Sequence, residues 1–265
     1  MGYNRIGHSM STRTLINVAN RLPVTVGETI RKSSGGLVAA LEGLSADEYS
    51  LRWIGWPGAE IEPQRQPEIE RVLRDDYHSL PVFLTNEQAH GFYEGFSNSS
   101  IWPLFHYMPS KFRYEPPWWE AYREANRLFC ERVCSVAQDG DLVWVHDYQL
   151  MLLPAMLRER MPGLRIGFFL HTPFPSYEVF RCNPKRNELI TGLLGADLVG
   201  FHTFGYMRHF RSSTLRLLGI ESDITRIRHD GRCTRLGIFP IGINARKFDA
   251  ELNRPELAAQ VERFR

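Results

Sequence analysis

Apolar positions along the chain follow two patterns. Near-continuous apolar runs at 141–146, 165–170 and 197–201 predict buried strands, and apolar residues spaced three or four apart predict helices at 149–160, 185–195 and 204–218. Strands that are apolar on both faces and alternate with helices predict a parallel sheet covered on both sides. Upstream, Thr14 to Ala19 reads as a strand that ends at Asn20-Arg21-Leu22-Pro23, and a helix from Leu37 to Leu44 is preceded by Gly35-Gly36. Trp53 to Trp56 is a second strand closed by Pro57-Gly58, Pro67 to Asp76 a charged helix, and Leu80 to Leu84 a third strand. Thr85-Asn86-Glu87-Gln88 has capping-box spacing and starts another helix. Pro116-Pro117 opens a long helix whose apolar face reads Trp118, Tyr122, Ala125, Phe129, Val133 and Val136. Ile224 to Arg228 and Cys233 to Phe239 flank His229-Asp230-Gly231-Arg232, a hairpin signal.

The expected fold class is therefore α/β, a Rossmann-like, doubly wound, mostly parallel sheet. Residues 1–13 lack an apolar core and read as a loose tail, 14–243 as the domain, and 244–265 as the start of a helix leading out of it. The formal charge of +2 on 265 residues demands neither a nucleic acid nor a membrane surface as partner. No apolar run reaches the length of about 18 residues that a spanning helix needs. The four cysteines are too few for a disulfide framework, and Cys130 and Cys134 read as thiols on one helix face rather than as metal ligands. A reducing cytoplasm fits that usage. Aromatic residues are 12% of the chain, mostly for the core, and an aromatic ring also offers a face on which a sugar can stack.

Ligands of an open α/β sheet sit outside the carboxyl ends of the strands. Val143 to Val145 runs into His146-Asp147, and Phe168 to Leu170 runs into His171-Thr172-Pro173, so His146, Asp147 and His171 are expected to line one pocket. A lone histidine at a strand end is ordinarily structural, but a carboxylate there needs partners or a ligand. Arg21 follows the first strand and can grip a phosphate in bidentate fashion, although a surface arginine needs no such role. Gly35 and Gly36 at a helix start would let backbone amides approach an anion, although glycine pairs there are more often plain turns. There is no G-x-G-x-x-G after the first strand and no G-x-x-x-x-G-K-[ST] anywhere, which argues against a dinucleotide oxidoreductase and a P-loop phosphotransferase.

Several runs occur together and in order: Ala19-Asn20-Arg21-Leu22-Pro23, Ser34-Gly35-Gly36-Leu37, Trp53-Ile54-Gly55-Trp56, Tyr93-Glu94-Gly95-Phe96-Ser97-Asn98, Ile101-Trp102-Pro103, Trp144-Val145-His146-Asp147-Tyr148, His171-Thr172-Pro173-Phe174-Pro175 and Pro240-Ile241-Gly242-Ile243. The ordered set resembles the trehalose-6-phosphate synthases, retaining glycosyltransferases of the GT-B type with two Rossmann-like domains. The resemblance implies that Arg21 and Tyr93 bind the phosphate of glucose 6-phosphate and that Trp102, Asp147 and Trp56 shape the acceptor sugar site. It implies that Gly35 and Gly36 approach the diphosphate of UDP-glucose or another NDP-glucose and that His171 contacts the donor sugar. His171 and Asp147 would then be the catalytic pair, with Asp147 orienting rather than attacking, because in this family the leaving phosphate is thought to accept the acceptor's proton. No cofactor or metal is implied. The family's second domain supplies R-L-D-Y-x-K-G-like and D-G-M-N-L-x-x-x-E-like runs, and neither occurs here. The chain therefore reads as the first half of such an enzyme, expected to turn over very poorly or not at all by itself, and a homo-oligomer stays open. Two alternatives stand beside this: a non-catalytic module that binds sugar phosphates, and a synthase using another phosphorylated acceptor.

Overall fold

A computed structural model describes residues 13–27, 29–32 and 49–242, with positions 245 and 263. The predicted helix at 37–44, with Gly35 and Gly36 before it, lies outside the described residues, as do nearly all of 1–13 and of 244–265.

Strands β1 (Arg13–Arg21), β4 (Tyr49–Trp56), β5 (Ser79–Pro81), β6 (Leu142–His146), β7 (Arg165–Phe169), β8 (Leu198–Phe201), β9 (Arg226–His229) and β10 (Arg232–Ile238) form one sheet, in the order β5-β4-β1-β6-β7-β8-β10-β9. Every pairing in it is parallel except β9 with β10. β2 (Val24–Val26) and β3 (Ile30–Lys32) make a separate antiparallel ribbon. Growth of the sheet starts at β1, runs outward to β5, then restarts on the other side of β1 with β6. That reversal is the topological switch point of a doubly wound fold, and it opens a crevice at the carboxyl ends of β1 and β6.

Among the described residues the longer helices are α1 (Gln66–Tyr77), α2 (Asn86–Ala89), a π-helix (His90–Ile101), α3 (Trp102–Phe105), α4 (Pro116–Cys134), α5 (Leu153–Arg160), α6 (Tyr177–Phe180), α7 (Arg186–Leu193) and α8 (Phe204–Leu218). None of the described helices is long and apolar enough to cross a membrane. The large core packs Ile16 and Val18 of β1 with Val143 and Val145 of β6, Phe92 and Phe96 of the π-helix, and Tyr122 and Phe129 of α4. A smaller core gathers Ala19, Leu22, Val24, Val26, Trp53, Ile69 and Leu73.

The predicted capping box is present, Thr85 accepting from the Gln88 amide and Gln88 from the Thr85 amide. The hairpin forms as predicted, with Asp230 and Gly231 both at positive φ, 47° and 72°. On α4 it is Trp119 that is buried while Trp118 is half-buried, and the helix ends at Cys134, before Val136. The segment after Asp147 is a short 3₁₀ turn (Tyr148–Leu150), and α5 proper starts at Leu153 with a proline in its first turn. The third strand ends at Pro81, short of the expected Leu84. The π-helix that continues from α2 is wide, and a 3.6-residue period does not describe it. It packs closely on α4: a Cβ on Gly91 would sit 2.6 Å from Ala121 Cβ, and one on Gly95 would sit 2.5 Å from Trp118 Cγ.

Candidate functional site

β1 shifts register on β4 between Val18 and Arg21, so that Arg21 pairs with Trp56 where both strands end. Gly55 permits this, because a Cβ there would lie 2.7 Å from the backbone of Arg21 and Leu22. The Leu22 amide donates to the Trp56 carbonyl at 3.1 Å and Trp53 Nε1 to the Arg21 carbonyl at 3.0 Å. So anchored, the exposed Arg21 lays its guanidinium over the Trp56 indole, 4.7 Å from the ring centroid. Gly58, at φ 97°, leaves the space: a Cβ would fall 2.0 Å from Arg21 Nη2. Tyr93 of the π-helix flanks Trp56, ring centroids 6.1 Å apart. Among the described residues Trp56 Nε1 is buried without a partner.

A second group forms where β6 and β7 end. Asp147 sits at φ 69°, a left-handed conformation that strains a non-glycine residue and turns the chain sharply out of β6. Its Oδ1 accepts from the amides of His171 and Thr172, at 3.1 and 3.3 Å, and from Thr172 Oγ1 at 3.3 Å. Burial pushes its carboxyl up to about 6, despite these donors. His146 is buried, with Nε2 2.6 Å from Asn17 Oδ1 and Nδ1 3.0 Å from His171 Nε2. Burial, then the neighbouring His171, holds His146 well below the ordinary imidazole range. Burial and the nearby His202 push His171 down to about 4. Both rings are thus neutral at neutral pH, hydrogen-bonding groups rather than cations.

The two groups meet through the turn after Asp147. Tyr148 donates to Asn98 Oδ1 of the π-helix at 2.9 Å. Tyr122, fully buried, donates to the Tyr148 carbonyl at 2.7 Å and accepts from the Met151 amide at 3.1 Å. Trp102 stands apart: it is 36% exposed and stacks on His106 at 4.1 Å, with no ring contact to Trp56 or Tyr93. Its helix α3 is tied to the turn after His171, since Phe105 packs on Phe174 at 5.5 Å and the Ser176 amide donates to Tyr107 Oη at 2.9 Å.

Sequence reasoning overlooked Asn17, Asn98, His106, Tyr107 and His202. Asn17 had a signal, being a polar residue inside an apolar strand. His202 had one too, following β8 as His171 follows β7; its ring lies 5.9 Å from that of His171. Among the described residues no cluster of three or more His, Cys, Asp or Glu is placed to hold a metal. A guanidinium resting on an indole beside a phenol suits a phosphate carried on an apolar ring. Neutral imidazole and carboxylate groups suit hydroxyls.

The model for glycosyltransferase family 20 matches residues 8–265. An alpha,alpha-trehalose-phosphate synthase (UDP-forming) of Emericella nidulans is 47% identical over 263 residues, 96% of this chain and 52% of the relative. The solved N-terminal domain of a Candida albicans trehalose-6-phosphate phosphatase is similar with TM-score 0.83 and 32% identity, over 97% of this chain and 54% of that one. A Burkholderia xenovorans alpha,alpha-trehalose-phosphate synthase (UDP-forming) in complex with glucose 6-phosphate is similar with TM-score 0.73 and 29% identity, over 86% of this chain and 50% of that one. The chain thus spans about half the length of the curated relatives it matches. With the family model reaching across nearly all of its residues, this chain belongs to glycosyltransferase family 20.

Proposed function

We propose that this chain is the acceptor-side half of an alpha,alpha-trehalose-phosphate synthase that moves glucose from UDP-glucose to glucose 6-phosphate with retention. The observation that carries the reading is the exposed Arg21 guanidinium held on Trp56 beside Tyr93, at the same carboxyl edge as Asp147 and His171. Arg21 and Tyr93 take the phosphate of the acceptor. Trp56, Trp102 and Asp147 shape the acceptor sugar site, and His171 faces the donor glucose. Gly35 and Gly36, outside the described residues, are assigned to the donor diphosphate. In the reaction the bond from C1 to the diphosphate oxygen breaks and the bond from C1 to the acceptor oxygen forms on the same face. The acceptor's proton goes to the departing diphosphate. No protein nucleophile is needed, so Asp147 and His171 act by orienting hydroxyls, and acceleration comes largely from holding the sugars in register. The four free cysteines support a reducing compartment, the cytoplasm.

Calorimetric titration with glucose 6-phosphate tests this reading, with glucose as control and Arg21→Ala as the variant. Saturable binding of glucose 6-phosphate only, lost in the variant, supports it. Equal binding by a folded variant, or equal binding of glucose, removes Arg21 as the phosphate site and the reading with it. The Candida albicans phosphatase domain favours a second reading, a sugar-phosphate-binding module without transfer activity. Assaying the product of the complete reading frame for trehalose 6-phosphate formation separates the two.

A further inference from the structure

Three strand ends and one strand interior contribute to a line of polar side chains under the crevice: Asn17 of β1, His146 of β6, His171 after β7 and His202 after β8. The contacts along it are short. Asn17 Oδ1 lies 2.6 Å from His146 Nε2, and His146 Nδ1 lies 3.0 Å from His171 Nε2. An amide oxygen only accepts, so His146 Nε2 must carry the proton there. The neutral His146 ring then has a lone pair at Nδ1, and His171 Nε2 must donate to it. Each ring holds one proton, as buried neutral rings require. Among the described residues His171 Nδ1 has no partner. Further along, the Ile241 amide donates to His202 Nδ1 at 3.3 Å, and the His202 ring lies 5.9 Å from that of His171.

We infer that Asn17 and His146 are positioning residues that fix His171 in the tautomer protonated at Nε2, so that its free Nδ1 meets the ligand as a hydrogen-bond acceptor. The ligand group it selects is a donor, a sugar hydroxyl, and an ether or a deoxy position at that place finds no partner. This rests on the proposed placement of His171 at the donor sugar for the identity of the ligand, while the tautomer itself is a property of the unliganded protein. Asn17 is fully buried, far down β1 from the strand end, and its remaining amide nitrogen is unpartnered among the described residues. A buried polar group in a strand centre is costly unless it satisfies another such group, which is what it does for His146.

The test is ¹⁵N NMR of the imidazole nitrogens in the ligand-free 265-residue protein, with Asn17→Leu and His146→Phe as variants. The expected result is a protonated Nε2 and a lone-pair Nδ1 for His171 in the parent. In Asn17→Leu, which leaves every side chain that touches His171 in place, the two tautomers should mix. In His146→Phe the same mixing should occur by loss of the direct partner. A parent protein with the proton on Nδ1 overturns the inference without any variant. So does an unchanged His171 signal in both variants. Because no ligand is present, failure here leaves the acceptor-side reading intact, and failure of the glucose 6-phosphate titration leaves this inference intact.

Discussion

Replacing Asp147 by asparagine should change how stability depends on pH, in a direction the site dictates. The Asp147 carboxyl is raised from its ordinary 3.8 to about 6, with burial as the leading cause. At about 1.4 kcal/mol per pH unit, the ionised carboxylate costs the fold about 2–3 kcal/mol relative to the unfolded chain. Its contribution is most favourable below the unfolded value and is lost as pH rises through about 6. His171 works in the opposite sense. Its folded value near 4 lies below the ordinary 6.5, so its contribution is present above 6.5 and is lost as pH falls toward 4. In the parent the two largely offset each other across that window. An asparagine side chain would keep an oxygen for the amides of His171 and Thr172 and, matching aspartate in shape, adds no backbone strain beyond what the parent already carries at φ 69° and ψ 174°. The Asp147→Asn variant thus loses the acid-side gain and keeps the histidine penalty. Urea unfolding followed by tryptophan fluorescence at intervals from pH 4 to 8 measures the difference. Relative to the parent, the variant should lose about 2–3 kcal/mol on going from pH 7 to pH 4. A flat difference across that range, or one of opposite sign, refutes the burial argument for Asp147.

Gly58→Ala places a Cβ against the Arg21 guanidinium at a residue with φ 97°, so it should destabilise by about 1 kcal/mol or more and also weaken glucose 6-phosphate binding in the titration. Tyr122→Phe removes the hydroxyl shared by the Tyr148 carbonyl and the Met151 amide and should cost about 1–3 kcal/mol in urea unfolding. Trp102→Ala touches little core, so stability should move by less than about 1 kcal/mol while glucose 6-phosphate affinity falls, a separation read by running both measurements on one preparation.

Much of the candidate site was visible as polar residues closing apolar runs. His146, Asp147 and His171 come together because adjacent parallel strands in register end at the same edge. Arg21 and Trp56 meet for the same reason, β1 and β4 being paired at those positions. Tyr93 was legible only through resemblance, because its place depends on a wide helix that no simple period signals. Asn17 and His202 were left out altogether, because only the strand order makes them neighbours of His146 and His171.

The sequence by itself determined the class of fold and the edge at which the candidate site sits. Apolar runs of strand length alternating with helices are buried on both faces of a covered parallel sheet, and the helical crossovers place the carboxyl ends of its parallel strands on one side. Tertiary structure alone decided the strand order, hence which ends are neighbours. It decided that Trp119 rather than Trp118 fills the core, and that Trp102 stays partly exposed on His106. It also set the protonation of the site. A histidine or aspartate has no perturbed affinity for protons until packing removes its water, and only the folded crevice does that to His146, Asp147 and His171 together.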